Sequence, residues 1–203
     1  ASGGFQNAHA GGFDDAFLVK FNSAGVRQWA TYYGGAGDEF QGNAATDAAG
    51  NVYLAGHTDS STGIASGGFQ NTFVGGDYDA FLVKFSASGG RLWATYYGGT
   101  AWEELNWGAL TTDAGGNVYM AGDVYSPNTG NAIASGGFQN SLTGTENHFL
   151  AAFDPSGSRI CATYYGQNHE EYSCVAADAA GNIYMAGATN SSGGIAAGGF
   201  NNT

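Results

Sequence analysis

Positive charge is nearly missing from this chain. Lys and Arg together number 5 against 17 Asp and Glu, a formal charge of −12 over 203 residues. A surface of that sign repels phosphate, which argues against nucleic acid and anionic membranes as partners. No apolar run reaches the ~18 residues that a membrane-spanning helix needs, so no membrane insertion is expected. Proline occurs twice and no Gly-X-Y period is present, which excludes collagen even though Gly reaches 36. GxSxG, HExxH, the P-loop and the dinucleotide-binding glycine pattern are all missing, so no catalytic residues are assigned and no enzyme is expected. What is present is a 43% hydrophobic and 14% aromatic content, too high for a disordered glycine-rich linker. The glycines therefore mark tight turns between short strands.

The strongest positive signal is repetition. ASGGFQN stands at Ala1, Ala65 and Ala134, and AAGGFNN at Ala196. From Phe5 through Phe69 and Phe138 to Phe200, the steps are 64, 69 and 62 residues. A period of this size marks one supersecondary unit used repeatedly. Aligned, the three units give four short segments each: DAFLVKF (from Asp15 and Asp79) and NHFLAAF (from Asn147); RQWATYYGG, RLWATYYGG and RICATYYGQ (from Arg27, Arg91 and Arg159); a polar third run; and NVYLAG, NVYMAG and NIYMAG (from Asn51, Asn117 and Asn182). Each is rich in β-branched or aromatic residues and bounded by turn residues, the pattern of strands. The turns Asn22–Gly25, Ser86–Gly89 and Asp154–Gly157 have type I chemistry, as do Asp47–Gly50, Asp113–Gly116 and Asp178–Gly181.

These features predict an all-β chain of three tandem four-stranded antiparallel meanders, the blade type of a β-propeller, in a single repeat domain over 1–203. The blades are expected at about 13–64, 77–133 and 145–195. GGFQN connectors are expected at 1–12, 65–76, 134–144 and 196–203. A β-solenoid is the structural alternative. DAFLVKF, the turn, RLWATYYGG, the acidic pair, TDAAGNVYLAG and GGFQNTFVGG together resemble the SBBP-type bacterial β-propeller repeat. The resemblance implies a propeller fold in bacterial, often surface or secreted, multi-repeat proteins, and it carries no catalytic residues. Three units are fewer than the ~4–8 blades of a typical ring, so the expectation is an open propeller or one completed between molecules.

An open run of blades leaves unpaired strand edges. Three accounts stand: a fragment of a longer protein, a chain that pairs with other copies of itself into a ring or filament, or a complete monomer. The second predicts head-to-tail self-association through Gly3, Gly4, Phe5, Gln6 and Asn7 at one end and Gly198, Gly199, Phe200 and Asn201 at the other. Together with the acidic surface it points to a secreted or cell-surface structural and adhesive protein, a filament or stalk subunit. A carbohydrate- or ligand-binding propeller module, with glycans as partners, is the alternative.

Several residues carry separate expectations. The acidic pairs Asp38-Glu39, Glu103-Glu104 and Glu170-Glu171 are weak Ca²⁺ candidates. Their blander role is one acid capping a turn and the other pairing with the repeated Arg. No other cofactor is expected. Lys20 opposite Arg27 across a hairpin would place like charges together. Cys161 and Cys174, on adjacent strands of a meander, predict a disulfide, with two free thiols as the alternative. His9, His57, His148 and His169 fall at different phases of the repeat and read as incidental surface residues. Trp102 and Trp107, confined to the second unit, suggest filler between blades or a sugar platform. Asn190 and Asn201 begin N-glycosylation sequons.

Overall fold

The computed structural model describes residues 1–127, 129 and 133–197. The chain is all-β. The first repeat supplies β1 (Ala16–Phe21), β2 (Arg27–Tyr33), β3 (Glu39–Thr46) and β4 (Val52–Thr58). The second supplies β5 (Asp79–Phe85), β6 (Arg91–Tyr97), β7 (Glu103–Glu104), β8 (Leu110–Thr112) and β9 (Val118–Val124). The third supplies β10 (Asn147–Phe153), β11 (Arg159–Tyr165), β12 (Glu170–Ala177) and β13 (Ile183–Thr189). No helix among the described residues is long and apolar enough to cross a membrane.

The predicted turns form. Gly25, Gly89 and Gly157 have φ of 76°, 88° and 89°, and each donates its N–H to the carbonyl three residues earlier. That extra left-handed residue shifts the register by one after Lys20, Lys84 and Ala152, a bulge of the kind that tightens hairpins. Because of the shift Lys20 faces Trp29 and Phe21 faces Arg27, so the expected Lys20–Arg27 repulsion does not arise.

The strands are grouped half a repeat away from the expected blades. The complete sheets run β3-β4-β5-β6 and β11-β10-β9-β7, with β8 also on β9. The pairs β1-β2 and β12-β13 stand as two-stranded sheets. Each complete sheet thus joins the last two strands of one repeat to the first two of the next. The reason lies in the links. The short Gly34–Asp38 stretch after β2 crosses to the neighbouring sheet, where Gly35 has no room for a side chain: a Cβ there would come within 2.3 Å of the Thr62 carbonyl oxygen. The long link from β4 to β5 instead loops round the far edge of β6, where Ser66 and Gln70 bridge to Ala94 and Tyr96. Ser2 and Gln6 do the same on β2, and Ser135 and Gln139 on β11.

The core lies in the seams between sheets. One cluster joins β1-β2 to the first complete sheet through Leu18, Trp29, Tyr33, Leu54, Ile64, Phe81 and Phe85. The other joins the two complete sheets through Tyr53, Trp93, Tyr97, Met120, Ile133, Phe149 and Phe153. Alternating inward aromatics on short strands supply most of the buried area, as the strand pattern requires.

Candidate functional site

The same contacts recur at both seams. Tyr33 packs on Phe81 and Phe85 with ring centroids 5.6 and 5.7 Å apart. Tyr97 packs on Phe149 and Phe153 at 5.2 and 5.7 Å. Both hydroxyls donate across the seam to the carbonyl of an Ile, Ile64 or Ile133. Gly56 and Gly122 lie under the rings of Phe81 and Phe149, where a Cβ would approach to 2.9 and 2.6 Å. The Trp29 and Trp93 indoles donate to Ala87 O and Pro155 O, each at 3.0 Å. The connector Phe of one repeat is covered by the Arg of the next: Arg91 lies 4.3 Å over Phe5, and Arg159 4.3 Å over Phe69. The repeated Arg residues therefore meet rings rather than the acidic pairs. Within the first complete sheet, buried Lys84 pairs with Asp47 at 3.3 Å and lies over the Tyr53 ring.

At the two ends these columns lose their partners. Phe17 and Phe21 occupy the columns of Phe81 and Phe85, yet they are 69% and 59% exposed where their counterparts are 0%. Among the described residues β1 pairs only with β2, and β13 only with β12. Phe138 is 84% exposed, against 43% for Phe5 and 39% for Phe69. Tyr165 still donates to Ile195 O at 2.5 Å, but beside it lies an open groove lined by His148, Met185, Gly187 and Ile195.

The GGFQN phrase is already occupied within the molecule. Gly4 approaches the β2 backbone so closely that a Cβ would sit 2.6 Å from Ala30 O. Gln6 N–H donates to Thr31 Oγ1 at 2.8 Å, and its amide donates to Asp15 Oδ2 at 3.2 Å. Gln70 and Gln139 repeat this on Asp79 and Asn147. The assignment of Gly3, Gly4, Phe5, Gln6 and Asn7 as a self-association surface is thereby corrected: Gly3, Gly4 and Gln6 seal the outer edge of β2, and Phe5 is capped by Arg91. Gly198, Gly199, Phe200 and Asn201 lie outside the described residues.

The acidic pairs divide. Glu39, Glu103 and Glu170 turn inward and cap the turn before them, accepting the N–H of Gly35 at 3.1 Å, Gly99 at 2.7 Å and Gln167 at 3.1 Å. Asp38, Glu104 and Glu171 remain half-exposed. Among the described residues no group of three or more Asp, Glu, His or Cys converges as a cation site. The inward glutamates instead meet the carboxyl that opens the next sheet strand. A Cβ on Gly98 would lie 2.2 Å from Asp79 Oδ1 and 2.7 Å from Glu103 Oε2, so the two acids converge on that glycine. Burial pushes both carboxyls up to about 7. At the third repeat Asn147 replaces the Asp. Glu170 is held below the usual carboxylate range there: burial raises it, and donors from Thr189, Gln167 and Ser191 outweigh that.

Two histidines are not surface residues. His57 is buried and pushed down to about 4 by desolvation. His148 is buried against Asp123, its directly opposite cross-strand partner, with Nδ1 2.7 Å from Oδ1. Both columns were visible in the aligned repeats, and only the β9–β10 pairing brings them together. Among the others, His169 contacts Glu146 and Glu171, and His9 lies 3.7 Å from Asp15. Cys161 and Cys174 are free thiols, because β11 and β12 belong to different sheets; the expected disulfide is not formed. Trp102 stacks on Tyr125 at 5.7 Å and continues through Tyr78 to Phe40, while Trp107 is exposed. Asn190 follows β13, and Asn201 lies outside the described residues.

No family model matches the chain, and no curated protein matches it. The likeness to the SBBP-type repeat therefore rests on the residues quoted for it and is a proposal, not membership.

Proposed function

We propose that this chain is a non-catalytic structural and adhesive repeat protein, secreted or held at the cell surface, whose copies join head to tail. The observation that carries this reading is the bareness of β1 and β13, whose counterparts in the complete sheets are paired on both sides. Unpaired edges of this kind are normally covered, and here the head exposes phenylalanines that the interior buries. A heterologous junction builds a ring if it closes and a filament or stalk if it does not. The acidic, lysine-poor surface and the Asn190 sequon fit a secreted location. Sedimentation of the 203-residue chain over rising concentration tests the reading. Mass rising to integral multiples is expected; a chain still monomeric at ~1 mM, the weak end of measurable affinity, overturns it.

A second reading has its own observation. The Phe40, Tyr78, Trp102 and Tyr125 rings form a continuous row that carries a partly exposed indole. Such a row suits a sugar face, making the chain a carbohydrate-binding propeller module. Titration of neutral oligosaccharides against tryptophan fluorescence checks it, with quenching expected and lost in Trp102→Ala.

A further inference from the structure

The groove at the tail and the bare phenylalanines at the head are two halves of one seam. In the first seam Phe81 fills a slot made by Tyr33, Leu54, Gly56 and Ile64. In the second, Phe149 fills the slot of Tyr97, Met120, Gly122 and Ile133. The same columns at the tail are Tyr165, Met185, Gly187 and Ile195, and they line the open groove. The residue that belongs in it, by column, is Phe17, which lies bare on β1.

We propose that β1 of a second copy pairs antiparallel along β13, so that β12-β13 of one molecule and β1-β2 of the other make one composite four-stranded blade. This rests on the head-to-tail reading above and names its contacts. The register follows the two internal examples, where Gly56 faces Phe81 and Gly122 faces Phe149. It sets Gly187 opposite Phe17, Met185 opposite Val19 and Tyr184 opposite Lys20. Phe17 of the second copy then enters the groove beside Tyr165, with Phe21 completing the pair of rings that Tyr33 and Tyr97 each already have.

Charge and aromatic contacts fit the same placement. Lys84 lies opposite Tyr53 and bonds Asp47. The equivalent acid at the tail, Asp178, accepts the Tyr184 hydroxyl at 3.0 Å and has no Lys or Arg ion pair among the described residues. The equivalent cation is Lys20, whose ammonium donates to Ala87 O at 2.9 Å. In the third repeat that column holds Ala152, so Lys20 is the only spare cation of its kind in the sequence. Arg27 is exposed and Phe138 is bare, the third member of the Arg-over-Phe series. The junction brings Arg27 of the second copy to Phe138. Residues 1–7 already seal the outer edge of β2, so residues after Ala197 are not needed for it.

The test compares Phe17→Asp with Phe13→Ala by sedimentation of the full chain. Phe13 is equally bare, but its column in the complete sheet, Asp77, is exposed, so it lies off the junction. Phe17→Asp is expected to weaken association about 100-fold, Phe138→Ala about 5-fold, and Phe13→Ala less than 2-fold. Far-UV circular dichroism of the Phe17→Asp monomer should match the parent. Hydrogen exchange supplies the second measurement: amides of β1 and β13 should slow on association, and those of β5 and β9 should not. If the parent associates while Phe17→Asp associates equally well, or if β1 and β13 stay unprotected, this junction is wrong and the broader head-to-tail reading stands. A parent that never associates removes both.

Discussion

Phe149 and Phe17 come from the same column of the same repeat, yet one is sealed in a seam and the other faces water. The difference lies not in local sequence, since NHFLAAF and DAFLVKF form the same hairpin strand. It lies in whether the half-sheet next door exists. In this architecture a residue's burial is set by its neighbour in the sheet order, not by its own segment, as expected when repeats contact only adjacent repeats.

The largest effect that would break this comparison comes from truncating the two rings. Phe149→Ala should cost about 3–5 kcal/mol in denaturant unfolding, and Phe17→Ala in the monomer less than about 0.5 kcal/mol. Equal costs would mean that the head is covered in solution. The two lysines give the next contrast. Lys84→Met strands the buried Asp47 carboxylate, which burial raises but Asn51 and Lys84 hold below its ordinary range. A loss of about 2–4 kcal/mol is expected, and a near-neutral change for Lys20→Met until copies associate.

The acid pairs sharpen the comparison further. Asp79 and Glu103 titrate near 7 in the fold and near 4 when unfolded. The native state then holds the extra protons. Their contribution is complete below about pH 4 and is lost as pH rises through about 7. His57, held near 4 by burial, works the other way, losing stability as pH falls from about 6.5. The melting temperature should therefore peak near pH 5–6 and fall by roughly 5 °C at pH 8. Glu103→Gln should flatten that slope, whereas Glu170→Gln, next to Asn147, should leave it unchanged. The smallest effect is at Gly98, in reversed sense: Gly98→Ala crowds both acids, and the penalty of about 1–3 kcal/mol should shrink by less than 1 kcal/mol when Asp79→Asn is added.

Strands, turns and the all-β class were legible because aromatic and β-branched runs end at Asx/Ser-x-x-Gly turns, which are local chemistry. The strand grouping was not. Gly34–Asp38 and the GGFQN stretch are both glycine-rich links, and nothing in their composition says which one closes a hairpin and which one crosses a seam. That single ambiguity moved Cys161 and Cys174 into different sheets and turned Gln6 from a contact residue into a strap. The His148–Asp123 pair was hidden for the same reason, since its columns touch only across the β9–β10 ladder. The inward turn of Glu39, Glu103 and Glu170 had a signal in the paired glycines before them, which leave space for a returning carboxyl.

The cut through the middle of a sheet also fixes a count. Two whole sheets and two halves make three blades per molecule, and each copy added consumes one donor hairpin and one acceptor while presenting another of each. Growth can therefore end only by closing a circle whose blade number is a multiple of three. Two molecules give six, the sole such multiple inside the ~4–8 range that propellers ordinarily adopt.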